Sequence, residues 1–354
     1  MPRPALPLRT SRTPLALAGG LTAALALTAC GGGGTPAAGA TDGGSSSSGS
    51  AAVTVVASTD VWGSVARAVG GDAVEVTSII DDPAQDPHSF EATTRDQLLV
   101  QDADVVVENG GGYDPFMEQL VEASGTQAPV VDAVEVSGLE GAEDAAGHSD
   151  EHGDEHGDEH GDEHGDEHAD EHAGEGHAHG EFNEHVWYDL ATAGKVAEAV
   201  AEALGKADPQ GAATYEANAK AFTDGLAPLQ AQEAEVAAKS AGTGVAVTEP
   251  VPDRMLEAMG LVVKTPEEFS EAVEEGTDVS PSVLADTTAL FTDGAVEALV
   301  YNEQTTGAET DAVRAAAEAA GVPVVPVTET LPDGQDYTQW MSSNIAAVRA
   351  AVGL

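Results

Sequence analysis

The chain has 354 residues and carries 62 Asp and Glu against 13 Lys and Arg, for a formal net charge of −49. That excludes a protein that grips nucleic acid or an anionic membrane surface through its own charge. One cysteine leaves no internal disulfide, so the fold is held by its core alone, and the length suits two domains of ordinary size.

Residues 1–29 hold Arg3, Arg9 and Arg12 and no acid, followed by the apolar run LALAGGLTAALALTAC. Basic, then apolar, then small residues is the order of a secretory signal, and the run is too short and too Gly-interrupted to span a bilayer. Cys30 closes Leu27-Thr28-Ala29-Cys30, which resembles the bacterial lipoprotein cleavage motif. The plainer alternative is an ordinary signal peptide with a stray cysteine. Residues 30–51 then read as a lipidated cysteine and a Gly/Ser tether that cannot bury enough apolar surface to order itself.

The first lobe is expected over 52–190. VTVVAST is a short, unbroken, β-branched run, the pattern of a buried parallel strand. VWGSVARAVGG follows as a helix with a Gly stop, AVEVTSII as a second strand and TRDQLLVQDA as a helix. ADVVVENG and APVVDAVE are further strands on either side of the helix DPFMEQLVEAS. Strands alternating with helices predict an open α/β sheet with right-handed crossovers. Ligands in such sheets bind beyond the carboxyl ends of the strands, where His88 falls in DDPAQDPHSF.

A tract inserted within 141–181 carries nine of the eleven histidines: His148, His152, His156, His160, His164, His168, His172, His177 and His179. Its period is four, but Gly at most fourth positions argues against a helix, and it reads as a disordered loop without metal. An acidic run alone would be a solvated spacer. A histidine in each repeat adds metal affinity and little charge, so weak, exchangeable metal sites are expected. The two remaining histidines, His88 and His185, flank the tract.

Residues 191–240 read as a helical connector. Val196, Val200 and Leu204 form one apolar stripe. Asp208-Pro209 is expected to restart the helix as cap and first residue, and Pro228 to kink or break it. From 241 to 354 the alternation repeats: GVAVTEP, EALVYN and VPVVPVTE as strands, VPDRMLEAMGL, SPSVLADTTALFTD, ETDAVRAAAEAAG and 336–352 as helices. The expected fold is therefore α/β in two lobes, each a mostly parallel sheet flanked by helices, joined by a long connector helix.

Asp86-Pro87-His88 with Thr94-Arg95-Asp96, the His-rich tract, His185-Val186-Trp187, TEPVPDRMLEAMGL and VYNEQT stand in an order that resembles the zinc/manganese solute-binding lipoproteins of bacterial ABC transporters. The resemblance runs from about Val53 to the end. It implies a metal site in the cleft between the lobes, with two ligands from each: His88 and His185 from the first, Glu249 and Glu329 from the second. Asp333 or water competes with Glu329 for the fourth place, and Glu249 also reads as a helix cap. Glu91, Asp96 and Glu184 are candidates to hold an imidazole's second nitrogen. Phe90 and Trp187 read as cleft packing, Asn302 and Gln304 as cleft hydrogen-bonders or a mere strand end.

Two imidazoles and two carboxylates suit Zn²⁺ and also Mn²⁺, and the Irving–Williams order favours zinc. The resemblance implies a monomer tethered by lipid at Cys30 to the outer face of the cytoplasmic membrane, handing its ion to an ABC permease. The alternatives are a manganese receptor of the same kind and a metal-buffering or adhesive surface lipoprotein. The chain has no HExxH and no Gly-x-Ser-x-Gly element, which argues against an enzyme.

Overall fold

The computed structural model describes residues 52–83, 85, 87, 90–146 and 182–354. Cys30, the Gly/Ser tether, the His-rich tract and His88 lie outside the described residues.

The β-branched runs pair as parallel strands. In the first lobe these are β1 Val53–Thr59, β2 Val74–Ile80, β3 Val105–Glu108 and β4 Val130–Asp132. They lie in the order β2-β1-β3-β4, with Val55 beside Val76 on one side and Val105 on the other. Around them run α1 Asp60–Gly70, α2 Thr94–Gln101, α3 Pro115–Ser124, α4 Ala133–Ser137 and α5 Ala142–Ala146. The second lobe has β5 Gly244–Val247, β6 Val262–Val263, β7 Leu299–Asn302 and β8 Val324–Val327 in the order β6-β5-β7-β8. The two sheets thus share one topology. Both change direction between their first and third strands, where an open parallel sheet leaves a crevice at its carboxyl edge.

A 3₁₀ turn, Val186–Tyr188, leads into the connector, which is two helices rather than one: α6 Leu190–Ala207 and α7 Ala212–Ser240. Asp189 caps α6, accepting from the amides of Ala191 and Thr192. Val196, Val200 and Leu204 are all fully buried, as their spacing predicts. Two details differ from the expectation. Asp208 ends α6 instead of starting α7: its carboxylate accepts from the Gln210 amide and the Tyr215 hydroxyl, and α7 begins at Ala212. Pro228 does not break α7, which continues to Ser240. An interior proline costs about 3 kcal/mol. Leu226, Leu229 and Val236, buried on both sides of it, offset that cost.

The second lobe adds α8 Asp253–Ala258, α9 Glu267–Glu274, α10 Pro281–Thr292, α11 Ala308–Ala320 and α12 Tyr337–Ala351. The pair β6 and α9 had no counterpart in the sequence reading. β6 is only two residues long, and half of α9 is glutamate.

One apolar core runs through both lobes and the connector, taking in Trp62, Trp187, Tyr215, Tyr337 and Trp340. Buried hydroxyls stitch it across: Tyr337 donates to the Trp187 carbonyl at 2.7 Å and Tyr188 to the Thr328 carbonyl at 2.8 Å. Burying both rings while satisfying both hydroxyls resists lobe separation. Among the described residues no helix is long and apolar enough to cross a membrane.

Candidate metal centre

The carboxyl ends of β5, β7 and β8 place Glu249, Asn302 and Glu329 together. All three are buried, at 2 %, 1 % and 1 % exposure. The Asn302 amide nitrogen donates to Glu249 Oε2 at 2.6 Å and to Glu329 Oε1 at 2.8 Å, and lies 2.9 Å from Thr305 Oγ1. Its orientation is fixed by the Gln304 amide, which donates to Asn302 Oδ1 at 3.1 Å. An amide nitrogen has two hydrogens, and here three oxygens converge on it. Two carboxylates gathered this closely out of water repel unless a proton or a cation sits with them. Asp333, the competitor for the Glu329 position, is exposed.

The first lobe meets this pair through Tyr113, and His185 lies beside Tyr113. Tyr113 donates to Glu329 Oε2 at 3.1 Å, and burial, then the Glu329 charge, hold its phenol well above the ordinary range. Its ring lies 5.8 Å from the His185 ring and 4.6 Å from that of Trp187. Trp187 is buried packing, as expected, and Phe90 packs on Phe116 at 4.6 Å in a separate small core.

His185 is fully buried just ahead of the 3₁₀ turn. Its Nδ1 lies 3.0 Å from Asn183 Oδ1, which also accepts the His185 amide at 2.9 Å. The Asn183 nitrogen donates to the Pro250 carbonyl at 2.8 Å, so its oxygen must face the imidazole. His185 Nδ1 therefore carries a proton, which leaves Nε2 as the atom able to coordinate a metal ion when the imidazole is neutral. Asn183 fills the role expected of Glu91, Asp96 or Glu184. Asp96 instead closes a capping box with Thr93, and Glu91 is exposed. Glu184 does join His185, but with Glu274 of α9: one donor atom from each lies within 4.8 Å of the others, and His185 Nε2 is 3.5 Å from Glu274 Oε1. That grouping includes neither Glu249 nor Glu329. No spacing rule points to Glu274 among the five glutamates between 267 and 275.

Gln85 is tied to the second lobe. Gln304 donates to the Gln85 carbonyl at 2.9 Å and to Thr330 Oγ1 at 3.0 Å, and accepts the Glu329 amide. The Phe90 amide donates to the Pro87 carbonyl at 3.3 Å. Gln304 is thus the cleft hydrogen-bonder the sequence suggested, holding the Gln85 and Glu329 backbones at once. Asp60, at the end of β1, accepts the Leu331 amide at 3.0 Å, and burial pushes its carboxyl up to about 6.

The family of the zinc-uptake complex component A, periplasmic, matches this chain over residues 55–351. The chain belongs to that family. Its members are non-enzymatic solute-binding proteins of ABC transporters. The manganese-binding lipoprotein MntA of Halalkalibacterium halodurans is 29% identical over 179 residues, 50% of this chain and 47% of that protein. The iron ABC transporter substrate-binding lipoprotein MtsA of Streptococcus pyogenes serotype M1 is 26% identical over 184 residues, 49% of this chain and 48% of that protein. The chain thus spans about half the length of these curated relatives. Among solved structures, the laminin-binding adhesin Lmb of Streptococcus agalactiae superposes with a TM-score of 0.64 at 18% identity, covering 85% of this chain and 99% of that one. The solute-binding protein FpvC of P. aeruginosa, solved with Ni²⁺, gives 0.62 at 21% identity, covering 85% and 97%. These similarities carry the two-lobed α/β fold.

Proposed function

We propose that the protein captures a divalent transition-metal ion outside the cytoplasmic membrane and hands it to an ABC permease, with Zn²⁺ as the cargo. The observation that carries this is the convergence of Glu249 and Glu329, both buried, on the one amide nitrogen of Asn302. A proton or a cation relieves like charges held this way, and His185, whose Nε2 can coordinate a metal when the imidazole is neutral, stands on the opposite lobe. In this reading His185, Glu249 and Glu329 are ligands and His88 completes the set. Binding energy holds the ion, and no bond is made or broken.

The family to which the chain belongs supports a receptor. The family is named for zinc uptake, two relatives for manganese and iron, and one neighbour was solved with nickel, so the metal is argued from chemistry. Nitrogen and carboxylate donors bind Zn²⁺ more tightly than Mn²⁺. Mn²⁺ is the second reading, favoured by the share of carboxylate oxygen around the centre. The tract His148–His179 serves as a low-affinity collector, and Cys30 carries the lipid tether. Metal analysis and competitive titration with both ions, on the whole protein and on a variant lacking residues 147–180, test these statements. One tight zinc equivalent surviving the deletion is expected. Tight manganese with weak zinc reverses the choice of cargo. Loss of the tight equivalent with the tract leaves a buffering or adhesive lipoprotein.

A further inference from the structure

A cavity of about 320 Å³ lies between the segment Phe182–Glu184 and the second lobe. Five acids line it: Glu184, Asp253, Glu267, Glu271 and Glu274. The nearest guanidinium, that of Arg254, is turned to the Asn183 carbonyl and the Phe182 ring. A small acidic chamber with low-dielectric walls concentrates cations.

At this chamber Glu184 and Glu274, one from each side, meet His185. The imidazole is rigid, held by Asn183 and packed between Tyr113 and Trp187, whose ring centroids lie 5.8 and 5.0 Å away. The glutamates are only partly buried, so their side chains have room to turn. An ion about 2.1 Å from each donor needs the three drawn somewhat closer than they stand, which two glutamate rotamers can provide. One fixed nitrogen with two adjustable carboxylates suits a site that is filled and emptied quickly. The tight pair Glu249 and Glu329, by contrast, is locked on Asn302.

We propose that Glu184, His185 and Glu274 form an outer coordination position, taken by a divalent transition-metal ion before it reaches Glu249 and Glu329, with His185 common to both positions. The ion exchanges two oxygen ligands for two others while one nitrogen keeps hold of it, so it is never released to bulk water in between. The proposal rests on the receptor reading and adds an order of events to it.

The experiment uses the full chain with Co²⁺ as the probe and Trp187 emission as the reporter, since that indole packs against His185, with ring centroids 5.0 Å apart. A Trp187→Phe control assigns the signal against Trp62 and Trp340. In Glu184→Gln/Glu274→Gln the equilibrium affinity of the tight site stays the same, while the stopped-flow capture rate falls about tenfold, the low end of what charge steering supplies. In Glu249→Gln/Glu329→Gln, Co²⁺ still quenches Trp187, at higher concentration, and adding Glu184→Gln/Glu274→Gln abolishes the quenching. An unchanged capture rate in the first variant, or loss of its tight site, overturns the outer position. So does a silent Trp187 in the second variant when the unaltered protein responds. Failure of the receptor reading looks different: the unaltered protein itself shows no saturable quenching.

Discussion

The two lobes share a strand order and each buries a group of acids at the carboxyl edge of its sheet, but the acids are treated in opposite ways. In the first lobe Asp114 accepts from the amides of Asn109 and Gly110 at 2.7 and 2.8 Å, all within one tight turn. Asp132 caps α4 through the Glu135 amide at 2.9 Å and lies against Gly110, where any side chain would collide with its carboxylate. Beside them Glu108, paired in register with Asp132, is pushed up to about 9 by burial and then by the Asp114 and Asp132 charges. It is protonated at neutral pH. In the second lobe Glu249 and Glu329 accept from an amide they share, and Glu329 also accepts from a phenol across the cleft. Acids served by their own turn or kept neutral by a proton are architectural. Acids drawn onto one donor suit a positive guest, the arrangement on which the proposed function rests.

The sharpest way to break this contrast is to remove a member of the second group. His185→Ala or Glu329→Ala is expected to weaken the tight site by more than the roughly 10–100-fold that loss of a supporting group costs, read by chelator competition. Next comes Asn302→Ala, which leaves both acids in place but frees them from each other's company. Its expected loss is about 10–100-fold in affinity, and a larger loss than that of Glu329→Ala would invert the roles.

The first group should behave in the reverse sense. Glu108 has a folded-state value above its unfolded one, so the folded chain binds the extra proton. Stability from this residue is fully present below about pH 4.5 and is lost as pH rises toward about 9. Glu108→Gln is therefore expected to stabilise the fold more at pH 8 than at pH 5, by at least about 1 kcal/mol, with no change in metal affinity. Urea midpoints at the two pH values check it. Glu233, pushed up to about 7 by burial and by Asp189, adds the same sign over about pH 4.5 to 7. The smallest effect belongs to acids that face water. Asp224→Ala, breaking the exposed Lys220 pair at 2.7 Å, should cost roughly 0.3–0.5 kcal/mol and leave metal binding alone.

Most of the fold could be read along the chain because parallel strands buried on both faces are spelled by runs such as VTVVAS and VVVE. The apolar stripe of α6 was equally plain. Pro228 misled because a local rule cannot see Leu226 and Leu229 buried either side of it. In the centre, His185, Glu249 and Glu329 stood out through their motifs, and Asn302 and Gln304 through their place at a strand end. Asn183, Tyr113 and Glu274 did not. Asn183 acts by joining His185 to the Pro250 carbonyl, 67 residues away in sequence, a link no local pattern encodes. Glu274 is one of several near-identical glutamates on and beside α9, and only the packing of that helix against the first lobe singles it out.

The buried hydroxyls of Tyr188 and Tyr337 act as rivets between halves that in a hinged receptor would swing apart. On the receptor reading we propose, a body fastened this way keeps nearly the same outline full or empty. A permease docking on it would then tell the loaded form by touch at the rim of the groove, through the set of a few loops and the local loss of negative charge, and not by silhouette.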